Sequence, residues 1–289
     1  MRILVSGASG FIGRPLVQFF RDQGDEVIRL VRNRAVLSDE IGWERLEKER
    51  FDAVVNLAGE SIFSLRWTSA KKEKILQSRE QSAFRLSKIL AQSPRPPRVF
   101  LSASALGYYG DRGEETIDEA SSKGKGFLAE VAFRWEEACA SVSKNGVRIV
   151  HPRFGIVLGK GGGALQKMLL PYRLGLGAIL GDGRQWISWI ALEDVLSSIY
   201  FALTHPIIEG PYIAASPGPV RQEEFASKLA ELLHRPLFLR LPRQLLQFGL
   251  GQVADELLLT SLKAHPEKLL SAGFQFVKPS LDTALQASL

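Results

Sequence analysis

Three glycines beginning at residue 7 carry the clearest chemical signal in the 289-residue chain. The run Gly7-Ala8-Ser9-Gly10-Phe11-Ile12-Gly13 follows the apolar stretch Ile3-Leu4-Val5 and precedes Leu16, Phe19 and Phe20 at helical spacing. Bare backbone at such a turn lets peptide N–H groups approach a pyrophosphate, and the helix N-terminus behind it offers partial positive charge. The first gap is wider than in the usual dinucleotide fingerprint, so its place between strand and helix carries the reading. Gly7, Ser9, Gly10, Phe11, Ile12 and Gly13 are the expected cofactor contacts. About 20 positions further on, an NAD-selective site has an acid for the ribose 2′-hydroxyl. This chain has Val31-Arg32-Asn33 there. A guanidinium at that place pairs with a 2′-phosphate, which predicts NADP(H); the alternative is an ordinary surface arginine. Tyr108 and Tyr109 lie beyond the strand starting near Val99, at the sheet edge where ligands bind in doubly wound folds. Either phenol is a candidate proton donor or a packing ring. The four histidines show no paired ligand spacing and Cys139 stands alone, so no metal site is expected.

The elements that must hold these residues alternate. Apolar runs at Val27 to Val31, Ala53 to Leu57, Val99 to Ser102, Val147 to Val150 (extended through Ile156 to Leu158) and Tyr212 to Ala214 read as strands separated by helices. Such alternation implies a Rossmann-like, doubly wound parallel α/β sheet. After about Ser216 prolines punctuate helical spacings such as Phe225, Leu229, Leu232 and Leu233, and Pro266 with Gly273 brackets a further helix over 267–272. The expected division is a dinucleotide domain over 1–216, with 160–190 contributing to the substrate side, and a smaller, mainly helical lobe over 217–289. The glycine-rich stretches 159–163 and 175–183 read as loops of functional use.

Composition narrows the classes. With 45% hydrophobic and 24% charged residues the chain is neither disordered nor fibrous. A single cysteine and no apolar leader point to a cytoplasmic setting, and no stretch approaches the ~20 apolar residues of a membrane helix. The net charge of +6 raises nucleic acid as a partner. The densest basic stretch (Lys71, Lys72, Lys74, Arg79, Arg85, Lys88) nevertheless mixes with Glu73 and Glu80 and lacks interleaved aromatic residues, so a solvated helix face is expected.

Beyond the glycine turn, the order of motifs resembles the extended short-chain dehydrogenase/reductase superfamily, the group of epimerases and dehydratases. These motifs are Asn56-Leu57-Ala58-Gly59, Ser102-Ala103-Ser104 leading to Tyr109-Gly110, and Gly181-Asp182-Gly183 followed by Trp189-Ile190-Ala191-Leu192-Glu193-Asp194. Arg66-Trp67, Ser78-Arg79, Phe127-Leu128-Ala129-Glu130 and the segment from Leu170 to Gly177 resemble, more narrowly, an atypical epimerase-like subgroup that ends in a short helical domain. The resemblance implies that Leu57, Ala58 and Gly59 pass over the adenosine side, that Arg79 holds a phosphate or ribose, that Ser102 lies in the cofactor-binding region, and that Arg153 approaches the nicotinamide. It also makes Ser104 the counterpart of the catalytic serine. The superfamily's tyrosine and lysine are missing: Phe127 and Val131 best match their positions, and no Tyr-x-x-x-Lys occurs in the chain. Tyr108, Tyr109 or Glu130 remain as substitutes, Glu130 having the alternative of an exposed helix carboxylate.

On the substrate side the resemblance points to 170–189, where Arg173, Arg184, Trp186 and Trp189 suit a small anionic metabolite such as a nucleotide sugar. The alternative for both tryptophans is core where the lobes meet. Two functions stand open: an NADP(H)-dependent, epimerase-like oxidoreductase, or an NADP(H)-binding regulatory protein that has lost catalysis.

Overall fold

The computed structural model describes residues 1–32 and 37–289. In chain order it comprises β1 (Arg2–Ser6), α1 (Gly13–Asp22), β2 (Glu26–Leu30), β3 (Glu40–Ile41), β4 (Ala53–Asn56), α2 (Ser69–Gln92), β5 (Val99–Ser102), β6 (Ser104–Ala105), β7 (Thr116–Ile117), α3 (Phe127–Glu137), β8 (Arg148–Phe154), β9 (Ile156–Leu158) and α4 (Gly163–Arg173). It continues with β10 (Ala178–Leu180), β11 (Trp186–Ile187), β12 (Trp189–Ala191), α5 (Leu192–Thr204), β13 (Gly210–Ala214), β14 (Val220–Arg221), α6 (Gln222–Leu232), β15 (Leu239–Leu241), α7 (Arg243–Leu250), β16 (Lys263–Ala264), α8 (Glu267–Ser271) and α9 (Leu281–Ser288).

The main sheet runs β13-β8-β5-β4-β1-β2-β3 with β6 alongside β8, and every pairing is parallel. Because side chains alternate along a strand, the apolar runs divide between two faces. Ile3, Val5, Val27, Val55 and Leu101 pack under α1 and α5, whereas Leu4, Ile28, Val54 and Phe100 pack under α2 and α3. Two helix layers therefore cover the sheet, as a parallel sheet requires. The pairing of Ser6, Asn56 and Ser102, and of Ser104 with Arg153, brings the carboxyl ends of four central strands to one edge. The chain turns to opposite sides of β1 when it enters β2 and β4, which opens the ligand crevice of this fold class at that edge.

The stretch expected to run unbroken from Val147 to Leu158 divides at Gly155. Strand β9 leaves the main sheet there to pair with β12, and a Cβ on Gly155 would sit 2.7 Å from the Ser188 carbonyl oxygen. The 217–289 segment is mainly helical, yet β14, β15 and β16 pair with β11, β10 and β7 from the earlier chain. Strands of two or three residues are too short to show a period. The same limit hid β10 inside the glycine-rich stretch 175–183. A separate core of Leu165, Leu169, Trp189, Phe225, Leu229 and Leu285 joins α4, α6 and α9. Buried Asp194 fastens the tail by accepting from the N–H groups of Val277 (2.6 Å) and Lys278 (3.0 Å). Among the described residues no helix is long and apolar enough to cross a membrane.

Candidate functional site

At the glycine turn, Gly7 has φ +78°, and a Cβ on it would lie 2.7 Å from the Leu57 carbonyl carbon and 2.8 Å from the Ala58 nitrogen. Glycine is required there for conformation and for space, since the crossing segment after β4 presses directly on the turn. Asn56 holds that crossing: its Oδ1 accepts from the Ala58 N–H (3.3 Å) and from Ser82 Oγ (3.2 Å), while its Nδ2 donates to Ser102 Oγ (3.2 Å). The outer side of the turn is open. Ser9 and Gly10 are exposed, and a Cβ on Gly10 would meet only the Gly7 carbonyl oxygen, at 3.2 Å. Phe11 lies under the Gly159–Gly163 loop, where a Cβ at Gly162 would stand 2.4 Å from its ring. The glycine run thus makes room for a residue of the cofactor turn.

Arg79, on α2, reaches the same crossing. Its guanidinium donates to the carbonyls of Glu60 (2.9 Å) and Ile75 (3.1 Å), rests 5.0 Å from the Trp135 ring centre, and has no carboxylate at ion-pair distance among the described residues. Burial pulls its pKa down to about 10 against the opposing charge of Glu60. A partly buried cation without a bonded anion is costly, which marks the place as suited to a phosphate. Arg32, two residues past β2, is exposed, its side chain without a partner among the described residues. Asn33, the next residue of the expected selectivity turn, lies outside them.

The second half of the site is a buried polar cluster. Ser104 Oγ donates to Glu136 Oε1 (2.6 Å), and Arg153 grips Glu136 in a fork, Nε to Oε1 at 2.9 Å and a terminal nitrogen to Oε2 at 2.8 Å. The other terminal nitrogen donates to the Tyr109 hydroxyl (2.8 Å), and the guanidinium carbon lies 3.5 Å above the Tyr108 ring centre. Burial acts to lower the Arg153 pKa, but the hydrogen bonds and charge of Glu136 outweigh it and leave it raised. Tyr109 is wholly buried, and burial pushes its phenol up to about 12 in spite of Arg153. It cannot reach a ligand or release a proton near neutral pH. Tyr108 is only partly buried, and its ring meets Tyr109 edge-on at 5.3 Å. Of the two phenols anticipated as proton carriers, Tyr108 is the accessible one.

Several expectations are corrected here. Trp189 is completely buried in the separate core beneath α4, α6 and α9, with its indole N–H donating to the Gly218 carbonyl (2.9 Å), so it packs and does not cover a ligand. Trp186 is engaged by the chain's own charges: Arg221 lies 3.8 Å and Lys263 5.0 Å from its ring centre, and its N–H donates to Glu114 (3.0 Å). Arg184 borders a separate groove with Arg221, Glu223 and Glu224, while Arg173 is exposed at the end of α4. None of these four residues joins the Ser104 cluster. Glu130 is an exposed helix carboxylate paired with Lys123 (2.6 Å). Phe127 packs against Trp67 at 5.2 Å, and Val131 is buried. Ser102 is wholly buried, its hydroxyl accepting from Asn56, so it supports the edge from beneath.

Glu136 was missed from the sequence, although a signal existed. It falls on the stripe of α3 that includes buried Ala129 and Ala132, where a carboxylate demands a partner. Glu256 was also missed. From the tail it accepts the N–H groups of Phe127 (2.9 Å) and Leu128 (2.7 Å), capping α3 from 128 residues beyond Leu128. Among the described residues no cluster of three or more His, Cys, Asp or Glu side chains is placed to hold a metal.

Comparison with known proteins agrees with this geometry. Residues 3–212 match the model of the NAD dependent epimerase/dehydratase family, and residues 241–288 match a domain of unknown function, DUF1731. The chain is 37% identical over 290 residues to epimerase family protein Mb2239 of Mycobacterium bovis, covering 98% of this chain and 96% of that protein. The crystal structure of human epimerase family protein SDR39U1 with NADPH superposes with a TM-score of 0.92 at 34% identity, covering 99% of this chain and 98% of that one. A nucleoside-diphosphate sugar epimerase from Corynebacterium glutamicum gives a TM-score of 0.82 at 31% identity, covering all of this chain and 58% of that one.

Proposed function

The chain belongs to the NAD dependent epimerase/dehydratase family, and from that membership we propose that it binds NADP(H) and exchanges hydride with the alcohol or carbonyl of a small anionic substrate. The observation that carries the proposal is the open glycine turn, pressed into shape by Leu57-Ala58 and flanked by an Arg79 guanidinium that has no carboxylate partner among the described residues. The residues suit a dinucleotide: peptide N–H groups of the turn for the pyrophosphate, Arg79 for a phosphate or ribose, and Arg32 for a 2′-phosphate. NADPH bound to the human relative supports the choice of cofactor.

When bound, the cofactor supplies the hydride; proton handling is left to the chain. Ser104, itself only 2% exposed, has its hydroxyl hydrogen directed at Glu136, which leaves its lone pairs as acceptors toward a substrate hydroxyl that enters the strand edge. Tyr108, stacked under the Arg153 guanidinium and more accessible than Tyr109, is the phenol we assign to pass the proton at the reacting oxygen. Glu136 and Arg153 position the other two. The Corynebacterium relative makes a nucleotide sugar, itself an anion, the first class to try.

Fluorescence titration with NADPH tests the binding half of the proposal. Arg79→Ala should weaken binding roughly tenfold to a hundredfold, the range for a hydrogen-bonded charge of about 1.5–3 kcal/mol. Unaltered affinity would remove Arg79 from the site. For the chemical half, the protein is incubated with either cofactor and a panel of nucleotide sugars, aldehydes and ketones. Turnover lost in Ser104→Ala supports the enzyme. Tight cofactor binding with no hydride transfer to any of them favours the regulatory reading, for which the missing Tyr-x-x-x-Lys is the motive.

A further inference from the structure

We propose that Arg14 is a selectivity residue for NADP(H), reading the 2′-phosphate in a groove on the outer side of the cofactor turn; this rests on the dinucleotide reading above. A cavity of about 460 Å³ lies between the turn, the exposed side of α1 and β2, lined by Ala8, Ser9, Arg14, Gln18, Arg21 and Arg29 among others. Three arginines border it, and they are not equivalent. Arg21 and Arg29 both bind Asp39, at 2.5 Å and 2.7 Å, and Arg29 also lies 3.2 Å from Glu40. Arg14 has no side-chain partner among the described residues. The groove therefore presents one uncommitted guanidinium, with a second, Arg32, where β2 ends.

The position of the cavity identifies the anion. It begins at Ala8 and Ser9, between the first two glycines of the turn, and faces β2, the strand beyond whose end the adenosine ribose is read in this fold class. An NAD-selective site needs a carboxylate free to accept from the ribose hydroxyls. No carboxylate is among the lining residues, and Asp39, behind two of them, is engaged by both guanidinium groups; the Arg29 hydrogen bond, with help from Arg21 and against some desolvation, holds its pKa at about 2. The groove thus lacks a lining carboxylate and offers an anion two donors, the Arg14 fork and the Ser9 hydroxyl. A phosphate monoester accepts from both, whereas a bare 2′-hydroxyl gains little from a second cation.

Direct binding tests this without knowledge of the substrate. NADPH and NADH are titrated into wild type, Arg14→Ala and Arg14→Lys, with 2′,5′-ADP and 5′-AMP as fragment probes and circular dichroism to confirm folding. The expected result for Arg14→Ala is NADPH and 2′,5′-ADP affinity reduced about tenfold or more, NADH and 5′-AMP unchanged, and partial recovery in Arg14→Lys. Lowering the pH through about 6, where the phosphate dianion takes up a proton, should narrow the wild-type preference more than that of Arg14→Ala. Equal loss of NADPH and NADH, or no loss of either, overturns the proposal. If wild type itself binds neither dinucleotide, the underlying cofactor reading fails instead.

Discussion

The glycine turn and the Ser104 cluster share one edge of the sheet but are built in opposite ways. The turn is seven consecutive residues, and what it offers under the proposed function is backbone rather than side chain. Its shape depends on glycine at fixed places and on one crossing strand end. The cluster draws Ser104, Tyr108, Tyr109, Glu136 and Arg153 from β6, the short turn after it, α3 and β8. Its working atoms are side chains, and each depends on the others for charge and direction. A backbone site tolerates sequence change wherever the backbone path is kept. A side-chain site depends on every member, because each must satisfy the charges of the others.

The contrast is broken most severely at Glu136. Glu136→Ala leaves Arg153 as a buried cation with only the Tyr109 hydroxyl as a hydrogen-bonded partner, and losing one member of such a pair costs about 3–5 kcal/mol. Urea unfolding should report that loss; a change below 1 kcal/mol would mean that the cluster is not a unit. Tyr108→Phe should lower turnover by about 10²- to 10⁴-fold with little change in stability. Tyr109→Phe should do the reverse, removing one hydrogen bond worth about 1 kcal/mol and leaving the accessible phenol in place. Kinetics on a substrate found by the panel, paired with thermal melts, would show whether the two tyrosines divide in this way.

On the other side of the comparison, Gly7→Ala tests the backbone site. A side chain in the left-handed region costs about 1–3 kcal/mol, and the Cβ would also press on Leu57. NADPH affinity should fall together with the melting temperature, because the strained turn and its ligand contacts are the same atoms. The smallest effect belongs to Asp39. Its folded pKa, about 2, lies below the ordinary ~3.9, so its pairing with Arg29 and Arg21 stabilises above pH 4 and is lost as pH falls through 2. Asp39→Asn should abolish that part of the acid dependence, a difference below about 1 kcal/mol for a partly exposed pair. A full acid titration of stability in both proteins measures it.

The residues differ in how far the sequence disclosed them. Gly7, Gly10 and Gly13 were legible because a tight turn between strand and helix is a local event, and the strand runs were legible because a parallel sheet covered on both faces needs continuous apolar residues. Glu136, by contrast, sits 32 residues from Ser104 and 17 from Arg153. Glu256 caps α3 from another part of the chain. Such partnerships follow from which strand ends adjoin which helix face, and no spacing records that.

By itself, then, the sequence determined the doubly wound sheet, the place of the cofactor turn and the absence of Tyr-x-x-x-Lys, all matters of local period and local backbone freedom. Only the tertiary structure decided that Trp189 is core, that Tyr109 is sealed while Tyr108 is partly accessible, and that Arg14 and Arg79 lack carboxylate partners among the described residues. Burial and pairing are properties of neighbours brought together by folding, and in the low dielectric of a protein they decide whether a polar side chain is structural support or available for chemistry.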